Sequence, residues 1–274
     1  MPDESKQYVL AEYIGYVFAR HLKLEKALIL YGTGSNGKSV VFDVINALLG
    51  SENVSNVSLE AISKDQHYRA MLANKLLNYS SEISNRLQAE KFKQLTSGEP
   101  IEARLPYGQP MILKDYARLA FNSNELPRDV EHSEAYFRRF LIIPFDVTIP
   151  ADKRNPNLAK EIIQTELSGV FNWILVGLLR LLKQNGFSKC DAADEMLESF
   201  KRESDSVAMF IEDEGYSRSS LSWIRLQHLY PLYRSYCNDN GTHPVSSKNL
   251  IKRLEALGFE TGKKTAGKVI YIEK

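Results

Sequence analysis

The fold of this chain is decided by residues 27–39, whose sequence is ALILYGTGSNGKS. The first five residues are a continuous apolar run, which is typical of a strand buried on both faces of a parallel sheet. The next eight, from Gly32 to Ser39, match the pattern GxxxxGK[ST] at every constrained position, and helical spacing of apolar residues follows. A strand, a glycine-rich turn and a helix in this order predict a loop that binds phosphate groups.

The residue types in this loop suit that chemistry. Glycines let backbone N–H groups turn towards a phosphate, and the N-terminus of the next helix adds a partial positive charge. Lys38 would reach the β- and γ-phosphates, and the Ser39 hydroxyl would ligate Mg²⁺. We therefore predict a site for a nucleoside triphosphate and Mg²⁺, formed by Gly32, Thr33, Gly34, Ser35, Asn36, Gly37, Lys38, Ser39 and Val40. The loop alone fits a small-molecule kinase, a GTPase, a motor ATPase or a helicase.

Strand and helix patterns alternate around the loop. Apolar runs predict further strands, the glycine- and proline-containing stretch 100–114 predicts a hairpin, and helical spacing covers residues 8–22 and 38–49. The other predicted strands are 54–59, 76–79, 117–121 and 140–145, and helices are predicted at 90–95, 157–167, 170–184 and 192–213. Alternation of this kind predicts an α/β fold with a parallel sheet flanked by helices.

Composition restricts the class of protein. The chain has 274 residues, of which 43% are hydrophobic and 25% charged, and these values exclude collagen and disordered chains. Cys190 and Cys237 are far apart in sequence, which argues against a disulfide framework or a zinc knuckle. The polar N-terminus is unlike a signal peptide, and residues 170–182 are too short to span a bilayer. We expect a cytoplasmic protein without a membrane partner.

The near-zero net charge hides an asymmetry. Residues 216–274 contain ten Lys and Arg against four Asp and Glu, a net charge of +6, whereas the remainder carries −5. A basic segment on a mildly acidic body favours a nucleic-acid contact, and a solvated basic surface remains the alternative.

The basic segment has its own predicted order. The small, polar residues 215–222 predict a flexible boundary, followed by helices at 226–237 and 247–257 and a strand at 268–272. Two helices and a basic β-ribbon form the order of a winged helix. The predicted domains are therefore an N-terminal helical segment (1–22), a P-loop core (23–150), a helical region (151–214) and a basic winged-helix-like domain (215–274). Candidate DNA contacts are Lys248, Lys252, Arg253, Lys263 and Lys264.

Other polar residues near strand ends could assist hydrolysis. Glu82 follows an apolar strand, where an acid could polarise water and help to hold Mg²⁺, and Asn124 could orient that water. Arg138 and Arg139 precede a strand and could reach the γ-phosphate of a neighbouring subunit. Each residue also has an ordinary structural explanation. Glu82 could be a surface glutamate, Asn124 an asparagine in a turn, and the arginines members of a salt bridge.

Taken in order, the segments GTGSNGKS, KLLNYSSEIS, LTSGEPIEAR, FNSNELP and FRRFLIIPF resemble the helicase part of phage and plasmid primase–helicases. This is the poxvirus primase–helicase-like branch of superfamily 3 helicases. The resemblance covers residues 22–187, and the tail resembles the winged-helix segment that often follows.

The resemblance implies an AAA+-like ATPase core that forms hexameric rings, with ATP sites between subunits. It also implies translocation on single-stranded DNA and separation of forked DNA in the replication of a mobile element. On this basis Lys38 and Ser39 match Walker A, Glu82 the Walker B acid, Asn124 the sensor and Arg138 and Arg139 the finger pair, with Arg139 slightly preferred. Lys93 and the segment 101–114 match the part that projects into the channel, where Arg104, Tyr107 and Lys114 would hold DNA.

Two departures from the family pattern matter. Ser81 precedes Glu82, where many P-loop ATPases have Asp, so that Mg²⁺ would depend more on Ser39 and water. Only about thirty residues precede the loop, too few for a primase domain, so we expect a stand-alone helicase subunit or a fragment, acting with a separate primase or polymerase in a bacterial or phage-infected cell. An initiator that melts an origin without processive unwinding and, less favoured, a small-molecule kinase remain alternatives.

Overall fold

The chain divides into two compact units, Met1–Glu198 and Ser199–Lys274. The computed structural model describes residues 1–81, 83, 88–127, 130–265 and 267–274. One helix, α9 (Asp191–Glu203), crosses the division and belongs to both units.

The first unit is built on a parallel sheet. Its strands are β1 (Ala27–Tyr31), β2 (Val54–Ser55), β3 (Leu77–Ser80), β6 (Arg118–Ser123) and β7 (Phe140–Pro144). Within the described residues these five strands pair in the order β2-β3-β6-β1-β7, and every pairing is parallel. A separate antiparallel hairpin consists of β4 (Ile101–Arg104) and β5 (Pro110–Leu113). The predicted parallel sheet and hairpin are confirmed.

Helices enclose this sheet because its strands are apolar on both faces. The helices of the first unit are α1 (Glu4–Tyr16), α2 (Lys38–Leu49), α3 (Leu59–Lys64), α4 (Gln66–Ala70), α5 (Ala89–Ser97), α6 (Glu134–Phe137), α7 (Leu158–Thr165) and α8 (Leu167–Gln184). Leu28 and Leu30 of β1 pack in one core with residues of α1, α2 and α8, and the intervening Ile29 is equally buried. The continuous apolar run of β1 thus reflects burial on both sides.

Helix α1 is fixed between the sheet and α8. The Tyr13 hydroxyl donates to the carbonyl oxygen of Leu119 at 2.6 Å, which attaches α1 to β6. On its other side, glycines let α1 and α8 approach closely: a Cβ on Gly177 would lie 2.5 Å from the Ala11 carbonyl carbon, and one on Gly15 would lie 2.8 Å from Leu178 Cβ.

The second unit contains α10 (Ser206–Asp213), β8 (Ser217–Arg225), α11 (Leu226–Asp239), α12 (Ser247–Ala256), β9 (Thr261–Lys264) and β10 (Gly267–Glu273). Its strands form an antiparallel sheet in the order β8-β10-β9. Phe210, Tyr233, Leu250 and Ile270 meet in a core of its own. The two predicted helices and the strand that follows them are present.

Several details differ from the sequence interpretation. The strand predicted over 54–59 ends at Ser55, and the helix predicted over 8–22 ends at Tyr16. The helix predicted over residues 192–213 is two helices, because the Asp205 carboxylate accepts hydrogen bonds from the backbone N–H groups of Val207 and Ala208 and so caps α10. The stretch expected to be a flexible boundary contains strand β8, and the units divide at 198/199 instead. Small polar residues suggested a linker, but on a strand with exposed side chains they are equally suitable.

The close contact between α1 and α8 predicts that replacing Gly177 with alanine destabilises the protein, although alanine normally stabilises a helix relative to glycine. Gly177→Ala should lower the free energy of unfolding by about 1–3 kcal/mol, because the new methyl group meets backbone atoms that have no room to move. Gly169→Ala in the same helix meets no atom within 4 Å and should stabilise by up to about 1 kcal/mol through helix propensity. Urea denaturation of both variants measures the difference, and a stabilised Gly177→Ala would refute the close packing.

Candidate nucleotide site

The glycine-rich loop joins β1 to α2 in a conformation that requires small residues. Gly34 and Gly37 have φ angles of +113° and +90°, in the region that favours glycine. At Gly32 a side chain is excluded by lack of space, because a Cβ there would lie 2.3 Å from Asn36 Nδ2 and 2.5 Å from the Phe145 carbonyl oxygen. Among the described residues no side chain caps the N-terminus of α2 at Gly37. The first-turn N–H groups of this 12-residue helix can therefore face a phosphate.

Lys38 is buried at the centre of the loop. Only 6% of its surface is exposed, and its ammonium donates to the Gly32 carbonyl oxygen at 2.6 Å and to Asn36 Oδ1 at 3.1 Å. Both acceptors are neutral, and no carboxylate in the described part of the chain pairs with it. Burial lowers the pKa of Lys38. A buried cation with only neutral partners is stabilised by an anionic ligand, which a triphosphate would supply.

The loop is braced by the chain that follows β7. Asn36 Nδ2 donates to the Phe145 carbonyl oxygen at 2.9 Å, and the Ile149 N–H donates to the Ser35 carbonyl oxygen at 2.8 Å. Thr33, Ser35 and Ser39 are exposed, and Val40 is half-buried in the first turn of α2. The hydroxyl of Ser39 is therefore accessible to a metal ion.

Residues at the end of β6 lie beside the loop. The Gly32 N–H donates to the Ser123 carbonyl oxygen at 3.0 Å, and the register pairs Tyr31 with Ser123. Asn124 follows directly in sequence and is exposed, so its backbone is one residue from this contact with the loop. Glu82, the predicted acid, lies outside the described residues, although β3 ends at the same edge of the sheet because Ser80 pairs with Phe121.

Sequence reasoning missed a buried polar pair beneath this edge. The Tyr79 hydroxyl donates to Asn122 Oδ1 at 2.9 Å, and both side chains are buried. Burial raises the pKa of Tyr79, so it stays protonated as a donor. The available signal was the polar run that begins at Asn122 in an otherwise apolar strand. This pair joins β3 to β6 directly below the residues predicted to act on the phosphate.

The arginine pair lies at the opposite edge of the sheet. Arg138 and Arg139 precede β7, whose first residue pairs with Ala27, whereas the loop follows the last residue of β1. The Arg139 side chain is 8% exposed and donates to Ser97 Oγ at 2.7 Å and to the Ala135 carbonyl oxygen. Arg138 is 53% exposed and pairs with Glu25 at 2.6 Å. Burial thus argues against the preference for Arg139.

The residues predicted to contact DNA in the first unit differ in their exposure and in the partners that they already have. Tyr107, at the tip of the hairpin, is fully exposed, and the half-buried Arg104 donates to the Gly108 carbonyl oxygen at 2.8 Å. Lys93 forms an ion pair with Glu131 at 2.8 Å, and its hydrogen bond lowers the pKa of that carboxyl. Lys93 is therefore already engaged in an ion pair.

Lys114 lies in a basic cleft that sequence reasoning did not anticipate. The cleft measures about 190 Å³ and is lined by Arg20, Lys23, Lys114 and Arg118, with Asp115 as its acidic residue. Within the described residues none of these four cations pairs with a carboxylate. Their separation in sequence hid the cluster, which forms because β6 begins beside the chain that follows α1.

The predicted DNA contacts of the second unit also differ in accessibility. Lys248 and Lys252 of α12 are exposed, but Arg253 pairs with Asp205 at 3.2 Å and is largely buried. On β9, Lys263 and Lys264 are exposed. Arg253 therefore holds α12 to the start of α10, whereas the four lysines are accessible to a ligand.

Within the described residues, no group of three or more His, Cys, Asp and Glu side chains could hold a metal ion. No single described helix is long and apolar enough to cross a membrane, although the pair Ala151–Thr165 and Leu167–Gln184, bent by 79°, passes on length and composition together.

Two protein families match separate parts of this chain. Residues 30–139, which include the loop and both arginines, match a family of unknown function (DUF5906). Residues 202–271, in the second unit, match the family described as poxvirus D5 protein-like.

Solved structures share the fold over nearly the whole chain. The apo structure of the NrS-1 C-terminal region (305–718) gives a TM-score of 0.55 at 15% identity, covering 96% of this chain and 70% of that one. The A form of the same region gives a TM-score of 0.57 at 15% identity, covering 97% of this chain and 70% of that one. A further A-form structure gives a TM-score of 0.54 at 17% identity, covering 96% of this chain and 70% of that one. At these identities the similarity concerns the fold.

The unequal burial of the two arginines predicts unequal effects on stability. Arg139→Ala should lower the free energy of unfolding by about 3 kcal/mol, because it removes a buried charge with several hydrogen bonds. Arg138→Ala should change it by less than about 1 kcal/mol, because an exposed ion pair contributes little. Urea denaturation separates the two cases, and equal losses would show that the burial difference has no energetic consequence.

Proposed function

We propose that this chain is an ATP-dependent DNA helicase or translocase of mobile-element replication, in line with its resemblance to the phage, plasmid and poxvirus primase–helicases and with the match of residues 202–271 to the poxvirus D5 protein-like family. The observation that carries the proposal is buried Lys38, held by neutral acceptors in a glycine-rich loop at the N-terminus of α2. That arrangement suits a bound triphosphate.

The proposal assigns a role to each residue predicted to act on the triphosphate. Lys38 binds the β- and γ-phosphates, and the first-turn N–H groups of α2 orient them. Ser39 and Glu82 would hold Mg²⁺, which neutralises phosphate charge when bound. Asn124, next to the loop, orients water towards the γ-phosphate, and the Tyr79–Asn122 pair supports its strand from below.

Assembly follows from the position of the arginines. A strand rises about 3.3 Å per residue, so the five-residue β7 separates Arg138 from the loop edge by about 15 Å. Arg138 therefore does not serve the loop of its own subunit, and we propose that it acts on the γ-phosphate of the next subunit in a homo-oligomeric ring. Exposed apolar side chains on α8, including Leu175, Leu179 and Leu182, support assembly of copies or partners on that helix.

DNA binding is proposed for both units. In the first, the exposed Tyr107 and the cations Arg104 and Lys114 suit base stacking and phosphate contacts at the hairpin. In the second, the helix–strand–helix–helix–strand–strand order and the exposed lysines support a winged helix that contacts DNA phosphates. Unwinding of forked DNA distinguishes this function from an initiator that only melts an origin.

Removal of the lysine in the loop tests the nucleotide site. Lys38→Ala should lower ATP turnover by about 10²-fold or more, because the phosphates lose their charged donor. Binding of single-stranded DNA should persist, because the proposed DNA contacts lie elsewhere. Lys64→Ala, a surface lysine paired with Glu60 on α3, is the matched control and should turn over ATP at the wild-type rate. Undiminished turnover in Lys38→Ala would refute the site.

The finger role is tested in mixed rings. Arg138→Ala should fold normally and lose ATP turnover, and mixing it with Lys38→Ala should restore part of that turnover, because an Arg138→Ala subunit keeps Lys38 and can receive the arginine of a Lys38→Ala neighbour. The measurement is ATP hydrolysis by the mixture at a fixed total protein concentration, compared with each variant alone. A mixture as inactive as its two components would rule out action between subunits.

A further inference from the structure

The outer face of the sheet in the second unit carries two aromatic rings side by side. In the antiparallel register of β8 and β10, Trp223 lies directly opposite Tyr271. Side chains alternate along a strand, and the neighbouring Ile270 packs into the helical core, so Tyr271 projects from the other face. Directly paired residues share a face, and Trp223 therefore lies beside it.

This aromatic pair is accessible and closely seated on the sheet. Trp223 is 38% exposed, which is high for a ring of this size. Gly262 on β9 allows the tyrosine ring to lie flat, since a Cβ there would be 3.2 Å from Tyr271 Cε2. The face thus presents aromatic surface to solvent where the sheet needs no such residue for its core.

A lysine lies over the rings. The Lys264 ammonium lies 4.3 Å from the centroid of Trp223 and 5.7 Å from that of Tyr271. Lys263 and Lys268, which pair across β9 and β10, belong to the other face, where Lys268 lies 3.9 Å from Glu255 of α12. Aromatic rings combined with a lysine are a composition that binds single-stranded nucleic acid: bases stack on the rings and the lysine contacts a phosphate.

We propose that Trp223 and Tyr271 form a stacking platform for unpaired bases of single-stranded DNA, with Lys264 leaving the ring face to contact a phosphate. An exposed cation–π contact is weaker than base stacking, so the exchange favours the bound strand. The choice of DNA as the ligand rests on the proposed function. The platform places strand binding on the outer face of the sheet, whereas the sequence pattern predicts phosphate contacts by α12 and by Lys263 and Lys264 of β9.

Fluorescence tests the platform directly. The chain has two tryptophans, and in a Trp173→Phe background the emission comes from Trp223 alone. Titration of the full chain with oligo(dT), without nucleotide, should quench that emission to saturation. Trp223→Ala and Tyr271→Ala should each raise the Kd for a labelled oligo(dT), measured by anisotropy, about tenfold, and Trp223→Phe should bind nearly as tightly as wild type.

Matched controls separate stacking from general effects on the sheet. Leu221→Ala alters an exposed apolar residue of the same strand, 88% exposed, and Lys274→Gln alters a lysine whose ammonium lies 5.4 Å from the Tyr216 ring. Both should bind oligo(dT) as wild type does. If they weaken binding as much as Trp223→Ala, the platform is refuted.

Three other outcomes overturn the inference: no binding of oligo(dT), binding with unchanged Trp223 emission, or equal quenching by a duplex of the same length. The last would indicate a duplex contact. Quenching requires no ATP turnover, so a chain that stacks bases but hydrolyses no ATP would keep the platform and refute the proposed function. An active ATPase whose Trp223 emission is not quenched would refute the platform and leave the proposed function standing.

Discussion

The position of β1 between β6 and β7 is the constraint on which the nucleotide site depends. Parallel pairing on both sides fixes where β1 ends, and the next residue, Gly32, donates its N–H to Ser123 on one neighbour. The chain after the other neighbour accepts the Asn36 side chain through the Phe145 carbonyl oxygen. The loop is therefore held from both sides, and Lys38 is buried between these supports. Any change in the register of β1 would move the ammonium away from the helix N-terminus.

The same parallel arrangement places the glycine-rich loop and the exposed Arg138 at opposite ends of the strands. Strands that run in one direction place the loop, Asn124 and the end of β3 at one edge of the sheet, and Glu25, Arg138 and the start of β6 at the other. One end of the sheet thus carries the glycine-rich loop and the other carries cations. The role proposed for Arg138 therefore requires a second copy of the chain, and the basic cleft with Arg118 lies away from the loop.

The strands, the loop and the hairpin could be predicted because their signals are local. An apolar run and a fixed glycine spacing determine β1 and residues 32–39 without reference to distant residues. Burial could not be predicted in that way: Arg138 and Arg139 are adjacent in sequence, yet only Arg139 contacts Ser97 and Ala135. The basic cleft and the Trp223–Tyr271 pair also arise from residues far apart in sequence, which only the strand register brings together. The excess of basic residues in the tail likewise did not reveal that Arg253 forms an ion pair with Asp205.

The most direct test is the steady-state rate of ATP hydrolysis by the full chain, with and without single-stranded DNA, at low and at moderate salt. The account predicts turnover that DNA stimulates strongly, with a stimulation that declines as salt weakens the lysine and arginine contacts to phosphate. Turnover that is indifferent to DNA at both salt concentrations, or absent altogether, would contradict the claim that this loop powers movement on DNA.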